Sequence, residues 1–187
     1  MKINVKDLSF MALYVALSLV LAYVSEMVPF LKMPSGGSIE LSLIAVYAAS
    51  YHLGWKKGLA VGLLWWFVSL LFGMGTWYLN PIQYSLDYII PAAVCGMASL
   101  FPRIGKISNV YVGMLITMSI RFIAQVTSGV YYWPANEVAG SMGAWVYSLS
   151  YNFGYNFVTL IIAAIIIPIL IKRLNSDRFK FVGVRES

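Results

Sequence analysis

The sequence predicts an all-α integral membrane protein of six transmembrane helices with both termini in the cytoplasm, and three observations lead there. Of its 187 residues, 60% are hydrophobic and only 11% are charged, with a mean hydropathy of +0.79. A soluble domain has about a quarter of its residues charged. The apolar residues gather in long runs without the short alternating strands of a barrel, so any spans are helical. The basic residues cluster between particular runs. In a soluble protein a net charge of +6 would suggest nucleic acid; here it points to membrane orientation and to no nucleic-acid partner.

Six apolar segments follow in order, at 8–31, 41–53, 58–71, 82–101, 110–132 and 144–171. The first is too long for a signal-peptide core and no cleavage site of small residues follows it, so it reads as a span. The second and third are short, which predicts tilted, broken or partly interfacial helices. The fourth carries an acid, Asp87, and the fifth a base, Arg121. The sixth is long, with Pro168 placed to bend its end. No internal repeat divides the chain, which reads as one membrane-embedded domain, 1–187.

With six spans, one side of the membrane receives Lys2, Lys6, Lys56, Lys57, Arg103, Lys106, Lys172, Arg173, Arg178, Lys180 and Arg185, eleven of the thirteen basic residues. The positive-inside rule makes that side cytoplasmic. The opposite side carries Glu26, Glu40 and Glu137, with Asp87 nearby, against Lys32 and Arg121. A pocket opening there would favour a cation. Glu26 and Glu137 read as solvated loop charges; Glu40 differs because it opens an apolar segment directly after the turn-forming residues 34–38.

Arg121 is the most informative residue. A charge at mid-membrane costs about 2.5 kcal/mol or more and usually faces a cavity and finds a partner. Asp87 is the only acid inside another apolar segment, so the two predict an internal polar site, either a ligand pocket or an ion pair that pins two helices. Polar and aromatic side chains collect around them. Gln83 and Asp87 share a helix face, flanked by Tyr84 and Tyr88. Arg121, Gln125, Ser128 and Tyr132 form one stripe ending beside Trp133. Tyr147, Tyr151 and Tyr155 form another, next to Ser148, Asn152 and Asn156. Trp77 and Trp145 fit an interfacial belt, but amides in hydrocarbon must face protein or water. Acids, amides and aromatic faces together suit a flat, nitrogen-rich cation.

Several chemistries lack their residues. There is no phosphate loop of the GxxxxGK[ST] kind, no HExxH, a single His52, and a single Cys95 that reads as a small core residue. No catalytic residue, metal ligand or cofactor is expected, and the chain does not read as an enzyme. Six spans without a repeat are few for a self-contained transporter, so a binding subunit that draws energy from partners fits better. On the first segment, Ala12 and Ala16 form a small-xxx-small pattern where another helix could approach, or where internal packing could occur.

Three blocks carry a family resemblance: GGSIELSLIAVYAASYHLGWKKGLAVGLLWW, then NPIQYSLDYIIPAAVCGMASLF, then RFIAQVTSGVYYW followed by WVYSLSYNFGYN. In them the chain resembles, over nearly its whole length, the ThiT family, the thiamine-specific substrate-binding (S) components of energy-coupling factor (ECF) transporters. The resemblance implies a multi-pass protein of the prokaryotic plasma membrane that binds thiamine from outside. It implies docking through the alanine motif, Ala12 and Ala16, onto a transmembrane coupling protein served by two cytoplasmic ATPase subunits. Asp87 stands where the family has an acid on the ligand, Trp133 where an aromatic stacks on it, and Tyr147 and Asn152 where polar contacts are made. Glu40 matches an acid at the start of the second helix, and Arg121 a base near the pocket acid, expected to hold Asp87 ionised. Two positions depart from the family: Gln125 replaces His, and Gly36 replaces a stacking Trp found in some members. Both changes leave room for weaker thiamine binding, a supplementary contact from Tyr84 or Trp77, or a shifted ligand preference. Left open are another vitamin, a pyrimidine precursor of thiamine, and an intramembrane enzyme acting on a lipid or prenyl substrate.

Overall fold

The structure is a computed structural model that describes residues 4–33, 37–74, 77–176 and 179–185. The described residues are helical apart from turns and two isolated bridges. The helices are α1 (Val5–Met27), α2 (Ser42–Leu53), α3 (Trp55–Leu71), α4 (Pro81–Tyr84), α5 (Ile90–Gly96), α6 (Asn109–Tyr132) and α7 (Met142–Leu174). A π-helical turn, Ser85–Ile89, fuses α4 and α5 into one stretch. Each predicted apolar segment thus has a helical counterpart. Three of these helices, α1, α6 and α7, are long and apolar enough to cross a membrane.

Local chemistry explains where the helices begin. Asn4 caps α1: its side chain accepts from the Asp7 backbone N–H at 2.7 Å, while its own N–H donates to the Asp7 carboxylate. Such a reciprocal box satisfies two amide donors that the first turn leaves free. Asp7 also pairs with Lys57 at 2.8 Å, tying α1 to the start of α3. The side chains of Asn80, Ser108 and Ser141 cap α4, α6 and α7 by accepting backbone N–H groups of their first turns, without the reciprocal bond.

Of the readings tilted, broken or partly interfacial, the last is corrected for α2, which is enclosed by protein. Every residue of α2 except Ile44 is buried, so this helix is the axis of the bundle, wrapped by α1, α3, α5 and α7. A helix apolar all round can be enclosed by protein as readily as by lipid. α3 and α5 approach so closely that a Cβ on Gly58 would strike the Gly96 carbonyl, and one on Gly96 the Gly58 carbonyl. Small residues allow such backbone contact between helices in a membrane. The outward faces are apolar: Leu13, Leu17 and Val20 on α1, Leu64 and Phe67 on α3, Leu115 and Ile123 on α6, and Phe153, Phe157, Ile161 and Ile165 on α7 are all exposed.

After α7 the chain folds back as a strap. Val182 and Gly183 donate their N–H groups to the carbonyls of His52 and Tyr51, at 3.2 and 2.7 Å. Asn109, fully buried at the start of α6, donates to the Gly183 carbonyl and accepts from the Arg185 N–H. Phe179 stacks on His52 at 3.8 Å, with Phe10, Tyr14 and Phe181 around the same ring. His52 is therefore a packing residue, hydrogen-bonded to the Tyr14 hydroxyl at 3.0 Å.

Candidate ligand-binding cavity

The π-helical turn originates at Pro91. Proline has no N–H for the carbonyl four residues back, which is that of Asp87, and its ring crowds that carbonyl. The ladder widens instead, with the Ile90 N–H reaching Ser85. Single π-turns of this sort recur at functional sites. This one turns Asp87 and Tyr88 toward a cavity of about 860 Å³ enclosed by the ends of α1 and α3, residues 32, 33, 37, 38 and 40, α6 and α7.

Asp87 lies high on the cavity wall. Its Oδ2 accepts from Gln83 Nε2 at 2.6 Å and from the Trp133 indole N–H at 3.1 Å. The i, i+4 spacing of Gln83 and Asp87 gives the first bond, and the end of α6 supplies the second. Trp133 in turn meets Trp77 edge to face, with centroids 6.3 Å apart. Tyr147 and Tyr151 stack along α7 at 5.9 Å, and the Tyr151 hydroxyl accepts from the Gly37 N–H at 2.8 Å.

Arg121 forms the floor. It is 4% exposed, its Nε donates to Asn156 Oδ1 at 2.9 Å, and its Nη2 lies 3.9 Å from Glu40 Oε2. Asn156 donates onward to Gln125 Oε1 at 2.9 Å and to the Asn152 carbonyl. Glu40 also accepts from the Ser42 hydroxyl at 2.6 Å. Asn152 donates to Ser148 and accepts from the Tyr155 hydroxyl. Both amide atoms of Asn152 and of Asn156 are thus bonded internally, as hydrocarbon surroundings require.

The expected pairing of Arg121 with Asp87 is corrected. Arg121 pairs with Glu40 and Asn156, while Asp87 is held by two neutral donors. The physical reason is depth: Arg121 precedes Trp133 by twelve residues, about 18 Å along α6, and Asp87 meets α6 at its Trp133 end. None of the ion pairs among the described residues includes Asp87.

Of the nine binding residues expected from sequence, Glu40, Asp87, Tyr88, Arg121, Gln125, Trp133, Tyr147 and Asn152 line the cavity. Tyr84 does not; it packs behind Tyr88 at 4.8 Å, against Tyr78 and Trp66. Gly36 lies outside the described residues. Glu26, read as a solvated charge, sits at the rim and pairs with Lys32 at 2.9 Å, both half-exposed. Sequence reasoning missed Trp65 and Trp66, which line the wall from α3. They sit in an unbroken apolar run that gave no sign of which side faced inward. Tyr151 and Tyr155 lay on a recognised stripe without being singled out. Ala12 and Ala16 are exposed on α1, apart from the cavity. No group of His, Cys, Asp and Glu among the described residues could hold a metal ion.

A helical membrane protein enclosing an aromatic, acid-bearing cavity is by class an integral membrane solute-binding protein. Residues 8–178 match the family described as thiamine transporter protein (Thia_YuaJ). The thiamine transporter ThiT of Bacillus subtilis (strain 168) is 31% identical over 156 residues, covering 75% of this chain and 77% of that protein. The chain belongs to the thiamine transporter family. Its fold resembles that of ThiT from Listeria monocytogenes, with a TM-score of 0.72 at 24% identity, covering 89% of this chain and 93% of that one. It also resembles the S component of a bacterial ECF transporter, with a TM-score of 0.62 at 20% identity, covering 90% and 95% of the two chains.

Proposed function

We propose that this chain is the thiamine-binding S component of an ECF-type vitamin importer, a single membrane-embedded domain that captures thiamine and passes it inward with partner subunits. The observation that carries the reading is Asp87: a carboxylate with no cationic partner among the described residues, bonded to an indole, in a cavity walled by aromatic rings. A flat cation is the ligand that such a wall suits. Thiamine supplies a thiazolium charge, an aminopyrimidine and two planar rings. Trp133 and the tyrosines Tyr88 and Tyr147 face the rings, Asp87 offsets the positive charge or accepts from the exocyclic amine, and Asn152 and Gln125 orient the pyrimidine. Glu40 and Arg121 form the charged base beneath them.

Six helical bodies, with α4 through α5 counted as one, support six spans; the basic residues listed above support cytoplasmic termini and a cavity that opens outward. The exposed Ala12–Ala16 strip is the docking face for a transmembrane coupling protein, which works with two cytoplasmic ATPase subunits. The family is one of transporters, and no turnover is assigned to the chain.

The deciding experiment is a fluorescence titration of the purified protein in detergent. Thiamine quenches tryptophan emission saturably at submicromolar concentration, and the aminopyrimidine fragment alone competes far more weakly. Equal competition by the fragment would make the pyrimidine precursor the ligand, a reading that Gln125 in place of His favours. Ala12→Trp together with Ala16→Trp keeps the quench and abolishes uptake in cells; uptake at the wild-type rate would remove the docking assignment.

A further inference from the structure

At the end of α6 remote from the ligand cavity lies a second pocket, about 640 Å³, formed by residues 103 and 105–108 with Val184 and Arg185 of the strap. Arg103, Lys106 and Arg185 line it, and no acidic side chain among the described residues does. None of the three takes part in an ion pair among the described residues. Arg185 is held in place: its backbone N–H donates to Asn109 Oδ1 at 3.0 Å, and its guanidinium reaches the Leu100 carbonyl at 3.3 Å. The strap therefore brings a third cation to a turn that already carries two.

The turn has a second character. Ile104 and Ile107 exchange backbone hydrogen bonds of 3.2 and 2.9 Å, with Gly105 at φ 57° between them. Residues directly opposite in such a pair project to one face, and these two isoleucines are 59% and 55% exposed. Two exposed isoleucines beside three cations match the boundary between headgroups and acyl chains, where apolar side chains insert and basic ones meet anionic lipid. Guanidinium forks fit the oxygens of a phosphate. α6 has 24 residues, about 36 Å of helix, which sets this pocket at the membrane surface opposite the ligand cavity.

We infer that this pocket holds the phosphodiester headgroup of an anionic phospholipid, with its acyl chains against Ile104 and Ile107. Bound lipid would brace the strap and the start of α6 against each other, since Arg185 and Ser108 both line the pocket.

The test is native mass spectrometry of the whole protein in a non-ionic detergent with equimolar phosphatidylglycerol and phosphatidylcholine. Wild type retains phosphatidylglycerol over phosphatidylcholine by roughly 25-fold or more. Arg103→Gln with Lys106→Gln lowers that retention roughly 25-fold, about fivefold for each basic residue near an anionic surface, and leaves the thiamine quench unchanged. Both residues are exposed, so the variant is not expected to unfold, and the quench checks this independently. Equal retention of the two lipids, full retention by the variant, or displacement of phosphatidylglycerol by millimolar inorganic phosphate would each overturn the assignment.

Discussion

Asp87→Asn weakens thiamine binding by about 10- to 150-fold while the protein remains folded. The substitution keeps the shape of the side chain and an acceptor for Gln83 and the Trp133 indole, removes the negative charge and turns the other oxygen into an N–H donor. A hydrogen bond to a charged group contributes about 1.5–3 kcal/mol, and each 1.4 kcal/mol is a factor of ten in affinity. Gln83 and Trp133 are neutral donors, so no buried cation is stranded by the change. Titration of the variant by tryptophan quenching measures the effect, with thermal unfolding as the check on folding. An unchanged dissociation constant would mean that the ligand's positive charge lies elsewhere, with Glu40 the next carboxylate to test.

Arg121→Met acts on folding as well as on binding. It leaves Asn156 Oδ1 without its donor and Glu40 without its cation, in a floor where Arg121 is 4% exposed. Removing one partner of a buried pair costs about 3–5 kcal/mol. The lower end applies here, because the Glu40 side chain keeps 21% of its exposure and the pair is 3.9 Å apart. In a chain of this size about 3 kcal/mol lowers the unfolding midpoint by roughly 6–12 °C. Glu40→Gln in the same molecule should restore part of the loss, since the stranded carboxylate is then neutral. A single variant that melts with wild type would show that Asn156 and solvent already satisfy the floor without the guanidinium.

Arg121 marks the limit of what one sequence can convey. Helical spacing correctly put Gln83 beside Asp87, and Arg121 in line with Gln125, because faces within a helix follow from the period alone. Depth between helices follows from loops and tilts, which have no such period. Charge alone therefore matches Arg121 with Asp87, although the two sit at different levels. The intramembrane amides were legible because hydrocarbon forbids their exposure; Asn152 and Asn156 are both buried. Trp65 and Trp66 were not, since an apolar ring suits lipid as well as a pocket wall. The strap was also hidden. Phe179, Phe181 and Gly183 belong to no periodic pattern, and the residues they meet, His52 and Asn109, lie far away in sequence.

The burial of α2 on nearly every side divides the molecule into parts answerable to different surroundings. Each α2 side chain fits against particular neighbours, so changes of shape as slight as one methylene are felt there. The outer face of α7 meets fluid acyl chains, which conform to any apolar shape. Drift among Leu, Ile, Val and Phe is therefore nearly free along Phe153, Phe157, Ile161 and Ile165, and constrained along Leu43, Val46 and Tyr47. Two apolar stretches thus answer to different tests of fit, one set by the protein and the other by its membrane.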